Sequence, residues 1–155
     1  MPKPDLAAVP VRLGTGYPPP HDAPCRGRAQ QRLGDAAGLT RIGVNLVRVP
    51  PGGWPSQRHW HSHEDELVWV LEGELVLVSD AGEELLRAGD AAAFPAGVPD
   101  GHHLQNRSAT DAVFLVVGNR DPEDVGHYPD IDLAIRPNRY AAPTFTTKDG
   151  RPIRR

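Results

Sequence analysis

Residues 53–73 read GWPSQRHWHSHEDELVWVLEG and combine closely spaced histidines, an acidic run and an apolar, β-rich stretch. Side chains on a β-strand alternate between faces with a period of two, so His59 and His61 point to the same side. Imidazole nitrogen suits zinc, iron, copper and nickel, and an added carboxylate with vacant positions favours a catalytic over a closed structural site. The segment therefore predicts part of a metal site at the end of a strand.

The carboxylate that would complete this group is not decided by the strand period. Glu64, Asp65 and Glu66 follow one another, and both faces of the next strand-like run, residues 66–71, are apolar. A strand with one polar face would reveal which acidic side chain points with the histidines, and this run has none. All three acidic residues remain candidates from the pattern alone.

Strand-like runs recur at short intervals on both sides of this segment. Turn residues such as Gly73 and Gly89 separate them, and no convincing amphipathic helix lies between them. This pattern predicts an all-β sandwich or barrel and disfavours a parallel α/β sheet. The predicted strands are residues 39–49, 57–61, 66–71, 74–78, 84–87, 91–94, 102–106 and 113–117.

The chain of 155 residues is long enough for one core, with a segment on each side of it. Seven prolines break residues 1–38, which we expect to form an extended arm with one short strand around residues 9–13. Residues 39–120 are the predicted barrel. Residues 121–155 are the predicted C-terminal tail that packs on the barrel, with an edge strand in TFTT at 144–147.

The composition excludes several classes of partner. Lysine and arginine number 17 against 20 acidic residues, so the net charge is −3 and no broad electropositive surface for nucleic acid or an anionic membrane is expected. No segment approaches the ~20 apolar residues of a membrane span, and the start lacks the apolar run of a secretory signal. The single Cys25 excludes an intrachain disulfide. We expect a cytoplasmic protein with a small-molecule partner.

The spacing in residues 53–73 resembles the first motif of the cupin superfamily without a departure. A glycine, five residues, His-Trp-His, four residues, a glutamate, six residues and a glycine follow one another in that order. The resemblance implies that His59, His61 and Glu66 bind one divalent metal ion. The phrases RHWHSHEDE, YPDIDL and TFTTKDG, at residues 58–66, 128–133 and 144–150, also resemble a group of small single-domain bacterial cupins.

Residues 89–106 resemble the second cupin motif, which supplies a third histidine. Four residues separate Gly97 from His102, where the family usually has two, so His103 is a competing ligand. His102 is preferred because its spacing to Asn106 matches the family. The strand period also places His102, Leu104 and Asn106 on one face.

The resemblance covers roughly residues 40–118 and implies a double-stranded β-helix, the cupin jelly-roll barrel. The ion would be Zn, Fe, Mn, Ni or Cu, bound by His59, His61, Glu66 and His102. We expect the pocket beside it to be lined by Gln57, His63, Val70, Leu104 and Asn106.

Several aromatic and histidine residues have two interpretations. His63 is either a further ligand or pocket base or, as we favour, a partly exposed histidine at the turn. His127 and Tyr128 could touch a substrate, although surface packing of the tail is favoured. Trp60 and Trp69 are assigned to the outer sheet face or to the interface of a homodimer.

Three histidines and a carboxylate fill four positions of an ion that commonly accepts five or six ligands. The open positions favour a metal-dependent enzyme that acts on a small polar metabolite in the barrel mouth. Its chemistry would be Lewis-acid isomerase, lyase or hydrolase chemistry, or dioxygenase chemistry with iron. The alternative is a non-catalytic, metal-containing barrel that binds or senses a small molecule.

Overall fold

The computed structural model describes residues 3–140 and 144–153, and strands dominate it. Parts of the predicted arm and tail, residues 1–2, 141–143 and 154–155, lie outside the described residues. The strands are β1 (Arg12–Leu13), β2 (Ala29–Arg32), β3 (Ile42–Val49), β4 (Trp60–His61), β5 (Glu66–Glu72), β6 (Glu74–Ser79), β7 (Gly82–Arg87), β8 (Ala91–Phe94), β9 (His103–Gln105), β10 (Ala112–Asn119), β11 (Gly126–His127), β12 (Ala134–Ile135) and β13 (Phe145–Thr146).

Three antiparallel sheets form the barrel and its cover. The largest has the order β1-β2-β3-β10-β5-β8, and a second has the order β7-β6-β9. Alternate residues of the long strands, such as Val47 and Val49 on β3 and Val68 and Val70 on β5, point inward and are buried. They pack with Leu75 and the rest of one apolar core cluster, which confirms the predicted all-β double-stranded β-helix.

The N-terminal arm contributes more structure than the sequence predicted. Besides β1 it contains β2, which pairs with residues 45–48 of β3, and a one-turn helix, α1 (Leu33–Ala36). Short 3-10 turns occupy Leu6–Ala8 and Ala23–Cys25. No proline falls between residues 25 and 49, so this part of the arm keeps every backbone donor that strand pairing needs.

The C-terminal tail builds a four-stranded sheet of order β13-β12-β11-β4. In that sheet β11 pairs with β4, so the tail is joined directly to the strand that carries His61. The predicted edge strand at residues 144–147 is present as β13, next to a second apolar cluster around Leu133. No helix among the described residues has the length and apolar character to span a membrane.

Candidate metal centre

Four side chains from three segments of the chain meet inside the barrel. His59 precedes β4, His61 lies on it and Glu66 begins β5, and one ligand atom of each lies within 4.8 Å of the others. An isolated antiparallel bridge joins His59 to His102. This bridge brings the His102 ring to 5.0 Å from the His59 ring, between centroids, and its Nε2 to 3.5 Å from Glu66 Oε1. The Phe94 ring stacks on His102, with 3.5 Å between centroids.

Hydrogen bonds orient two of the imidazoles. His59 Nδ1 lies 2.8 Å from the Gln57 carbonyl oxygen, so it carries the proton and leaves Nε2 with a lone pair. His61 Nδ1 lies 2.7 Å from Asp124 Oδ2, and the buried carboxylate has the same effect on its ring. Both ring nitrogens of His102 are buried without a hydrogen-bond partner among the described residues. A metal ion needs imidazole nitrogens with a free lone pair, on rings whose orientation is fixed by a hydrogen bond at the other nitrogen. His59 and His61 meet both requirements, and His102 has nitrogens that are free to bind.

The protonation states also suit a metal. Burial, followed by the neighbouring charges of His61 and His102, lowers the pKa of His59 to about 3. Burial alone would raise the pKa of the Glu66 carboxyl, but the adjacent imidazoles, led by His102, lower it to about 2. At neutral pH His59 is neutral and Glu66 is ionised. These are the forms that coordinate a metal, and the donor set fits a divalent transition ion.

The structure separates the three acidic residues that the strand period left open. Glu66 groups with His59 and His61, whereas Glu64 groups with His61 and Asp124. Glu64 is buried and accepts hydrogen bonds from the Tyr140 hydroxyl, at 2.6 Å, and from Arg139. Asp65 accepts from the Ala96 backbone at 2.8 Å. The latter two carboxylates therefore stabilise loops around the site.

The four candidate ligands lie on the wall of one cavity of about 630 Å³. The inner face of β2, β3, β10 and β5 forms much of this wall, and in register Gly43, Gly118 and Glu66 lie side by side. A Cβ at Gly118 would lie only 2.7 Å from the Asp65 carbonyl oxygen, so glycine permits this close approach of β10 to β5. Polar side chains on the wall include Arg28, Gln30, Asn45, Arg120 and Tyr128.

Comparison with known proteins agrees with this architecture. The Cupin domain family model matches residues 45–118. A crystal structure of a sugar phosphate isomerase from a cupin superfamily, from Silicibacter pomeroyi, has a TM-score of 0.92 and 48% sequence identity, with 99% of this chain and 97% of that chain covered. This chain belongs to the cupin superfamily.

Two further structures resemble this cupin. A putative sugar phosphate isomerase from Acidithiobacillus ferrooxidans is 29% identical, with a TM-score of 0.72 over 83% of this chain and 81% of that chain. The polyketide cyclase RemF from Streptomyces resistomycificus, at 23% identity and a TM-score of 0.64, shares the fold, with 78% of this chain and 80% of that chain covered. No curated protein sequence matches this cupin.

Of the five side chains expected to line the pocket, Leu104 lies on the cavity wall and the other four lie off it. Gln57 donates to the His21 carbonyl oxygen at 2.7 Å, and Asn106 donates to the Val49 carbonyl oxygen at 2.8 Å. His63 is exposed with its ring against Ser62 Oγ, and Val70 is fully buried in the core. Strand β9 ends at Gln105, so Asn106 lies outside the strand and the alternation of strand faces does not place its side chain.

His103, the competing ligand, is buried in this cupin and lies on the cavity wall, but it is not part of the group of His59, His61 and Glu66. Its ring meets Trp54 edge to face at 4.7 Å between centroids, and its Nδ1 lies 3.3 Å from the Ser56 carbonyl oxygen. His102 is the ring that lies beside Glu66. The two extra residues before His102 are accommodated in the loop that precedes β9.

The interpretation of His127 and Tyr128 as surface packing of the tail is wrong for Tyr128, and the tail also brings Asp124 to the site. Tyr128 is 5% exposed, lines the cavity and stacks on His59 at 5.8 Å between ring centroids. Asp124, which the sequence did not single out, is fully buried against His61. His127 stacks on Trp60 at 4.1 Å, outside the cavity lining. No local signal marks Asp124, because the pairing of β11 with β4 brings it to the site.

Proposed function

We propose that this cupin is a metal-dependent isomerase that acts on a phosphorylated sugar bound in the barrel cavity. One observation carries the proposal: His59, His61, Glu66 and His102 all lie on the wall of the same cavity. Four ligands leave coordination positions of an ion open toward a substrate. The sugar phosphate isomerase that is 48% identical over nearly the whole chain supports the choice of reaction and substrate class.

A divalent ion held by these residues would act as a Lewis acid on a sugar oxygen during exchange of carbonyl and hydroxyl groups. The side chains around it would hold the sugar. Burial raises the pKa of Tyr17 to about 12 and, together with the adjacent Tyr17 phenol, raises the pKa of Tyr128 well above 10. Both phenols therefore stay protonated, and because Tyr128 donates its hydrogen bond to Tyr17, the Tyr17 hydroxyl is the one that can donate to a sugar oxygen. The volume of about 630 Å³ is within the usual range for small-molecule sites.

The test combines elemental analysis with an isomerisation assay. Protein purified without chelator should contain about one divalent ion per chain and should interconvert an aldose phosphate and its ketose, followed by NMR across a panel of pentose and hexose phosphates. The double variant His59→Ala plus His61→Ala should lose both the ion and the activity. His63→Ala changes an exposed histidine outside the cavity lining and should keep both.

Two results would contradict the proposal. One is full metal occupancy in the double variant. The other is binding of a sugar phosphate by the metal-loaded protein without turnover of any member of the panel, which would instead indicate a binding or sensing protein.

We also propose that the chain forms a homodimer through the outer face of the large sheet. On β5, Leu67, Trp69 and Leu71 point outward and are 42%, 47% and 41% exposed. The neighbouring positions on β10 are Val117 and Leu115, so the apolar surface is continuous across two strands. A contiguous apolar surface of this kind favours association, and closed two-fold dimers are the commonest assembly.

A further inference from the structure

Four arginines line the cavity, and three of them have a carboxylate partner. Arg32 Nη1 lies 3.8 Å from Asp35, which also pairs with Arg120, and Arg139 pairs with Glu64. Arg28 makes no ion pair with any carboxylate in the part of the chain that the structure describes. A cation inside a protein is costly unless an opposite charge accompanies it. Arg28 is therefore the wall position whose charge is left for a ligand to neutralise.

The protein holds the Arg28 guanidinium by neutral groups only. Its Nε donates to the Gly14 carbonyl oxygen at 3.2 Å and its Nη1 to the Pro55 carbonyl oxygen at 2.8 Å. Its Nη2 reaches Gln30 Oε1 only at 3.5 Å, so this is the least engaged nitrogen. The two carbonyl contacts fix the plane of the guanidinium, which preorganises its remaining donors for a planar or tetrahedral oxyanion.

Arg28 lies on the wall of the same cavity as the histidine cluster. The Tyr128 ring stacks on His59, and the Tyr17 ring packs against Tyr128 at 5.7 Å between centroids. Both tyrosines also line the cavity. Arg28 Nη1 donates to the carbonyl oxygen of Pro55, which is four residues before His59 in the chain. One ligand in this cavity can therefore meet both Arg28 and the cluster.

We infer that Arg28, assisted by Gln30, binds the phosphate group of the substrate on the β2 side of the cavity, while the other end of the sugar lies at the histidine cluster. This inference rests on the proposed function and assigns the residue that selects phosphorylated over unphosphorylated sugars. Burial lowers the pKa of the Arg28 guanidinium, and an arriving dianion offsets that effect.

Steady-state kinetics of the metal-loaded enzyme test the assignment. Arg28→Gln should raise KM for the sugar phosphate by about 10- to 100-fold, the usual loss of one or two charge-assisted hydrogen bonds, with kcat little changed. Arg28→Lys keeps the charge without the planar fork and should give a smaller increase. Turnover of the matching unphosphorylated sugar should be the same in all forms. Arg26→Gln is the control, because Arg26 is exposed, pairs with Asp22 and is not among the residues that line the cavity.

Direct binding tests the subsite without turnover. Calorimetric titration of inorganic phosphate into the His59→Ala plus His61→Ala protein, which lacks the metal as a competing site, should show binding that Arg28→Gln weakens by about 10- to 100-fold. In the wild-type protein, inorganic phosphate should protect Arg28 from phenylglyoxal, mapped by mass spectrometry, and should leave Arg26 unprotected. This last measurement needs no variant at Arg28, so a folding defect there does not affect it.

The outcomes separate this inference from the proposed function. Phosphate binding that depends on Arg28, without isomerisation of any sugar phosphate, supports the subsite and contradicts the isomerase. Isomerisation with an unchanged KM in Arg28→Gln, or equal modification of Arg28 with and without phosphate, overturns the subsite and leaves the isomerase in place.

Discussion

Replacement of Asp124 by asparagine tests how the protein prepares His61 for a metal. Asp124 is fully buried, lies 2.7 Å from His61 Nδ1 and accepts the His63 backbone N–H at 2.9 Å. Asparagine has nearly the same shape, but one of its two polar atoms is a donor. The NH2 group of asparagine would then face either the donor at His61 Nδ1 or the donor at the His63 backbone, and one of these two hydrogen bonds would be lost. If His61 changes tautomer to accept from asparagine, its proton moves to Nε2, the atom that would bind the ion.

The magnitude follows from the pKa of Asp124. Burial alone would raise this pKa, but His61, the His63 N–H and Arg139 outweigh it and lower the pKa from 3.8 to about 2. That difference corresponds to about 2 kcal/mol of stability. Because the folded pKa is depressed, the contribution is fully present above pH 4 and is lost as the pH falls toward 2. We expect Asp124→Asn to lose about 2 kcal/mol at pH 7 and to weaken metal binding about 10- to 100-fold.

Two measurements check this prediction separately. Urea denaturation of chelator-treated protein gives the stability, and competition with a fluorescent zinc chelator gives the metal dissociation constant. Asp80→Asn is the control, since Asp80 is an exposed partner of Arg58, which keeps its second partner Asp130; the change should stay within about 0.5 kcal/mol. A wild-type urea midpoint together with a wild-type dissociation constant in Asp124→Asn would refute the orienting role.

Three further predictions concern acid stability, close packing and assembly. The lowered pKa of His59 means that the folded state binds fewer protons than the unfolded state between about pH 3 and 6.5, so metal-free protein should lose stability as the pH falls through this window. Urea midpoints at several pH values should show a flatter dependence in His59→Asn, and equal slopes would contradict the burial of a neutral imidazole. Gly118→Ala should cost about 1–3 kcal/mol in a thermal or urea melt because the new Cβ meets the Asp65 carbonyl oxygen at 2.7 Å, whereas Gly43→Ala meets nothing closer than 3.7 Å and should be tolerated. Trp69→Glu should convert a dimer to a monomer in light scattering at micromolar concentration, and a monomeric wild type would overturn the proposed assembly.

The barrel was predictable because its signals are local. Short apolar, β-branched runs separated by turn residues mark β3, β5, β6 and β10 in the sequence. The motif spacing in residues 53–73 likewise brought out His59 and His61 through the strand period, and the cupin resemblance then chose Glu66. The strand-based inferences need only local information, because the geometry of a single strand fixes which of its residues share a face.

The arm and the tail were less predictable, because their contacts depend on pairing between strands that are distant in the sequence. Strand β2 is four residues long and half-buried, with the sequence AQQR, which carries no apolar alternation. Its pairing with β3 is visible only in the sheet register. Tyr128 follows a two-residue strand, β11, whose pairing with β4 turns a tail residue into part of the cavity wall.

The sequence by itself determined the fold class and the family, because each depends on residues within one strand or one short motif. Tertiary structure decided that His102 lies beside Glu66, that Asp124 holds His61 from 63 positions away, and that the Arg28 side chain lines the cavity without a carboxylate partner among the described residues. Strand order and register set these contacts, and no local period in the chain encodes which distant strands become neighbours.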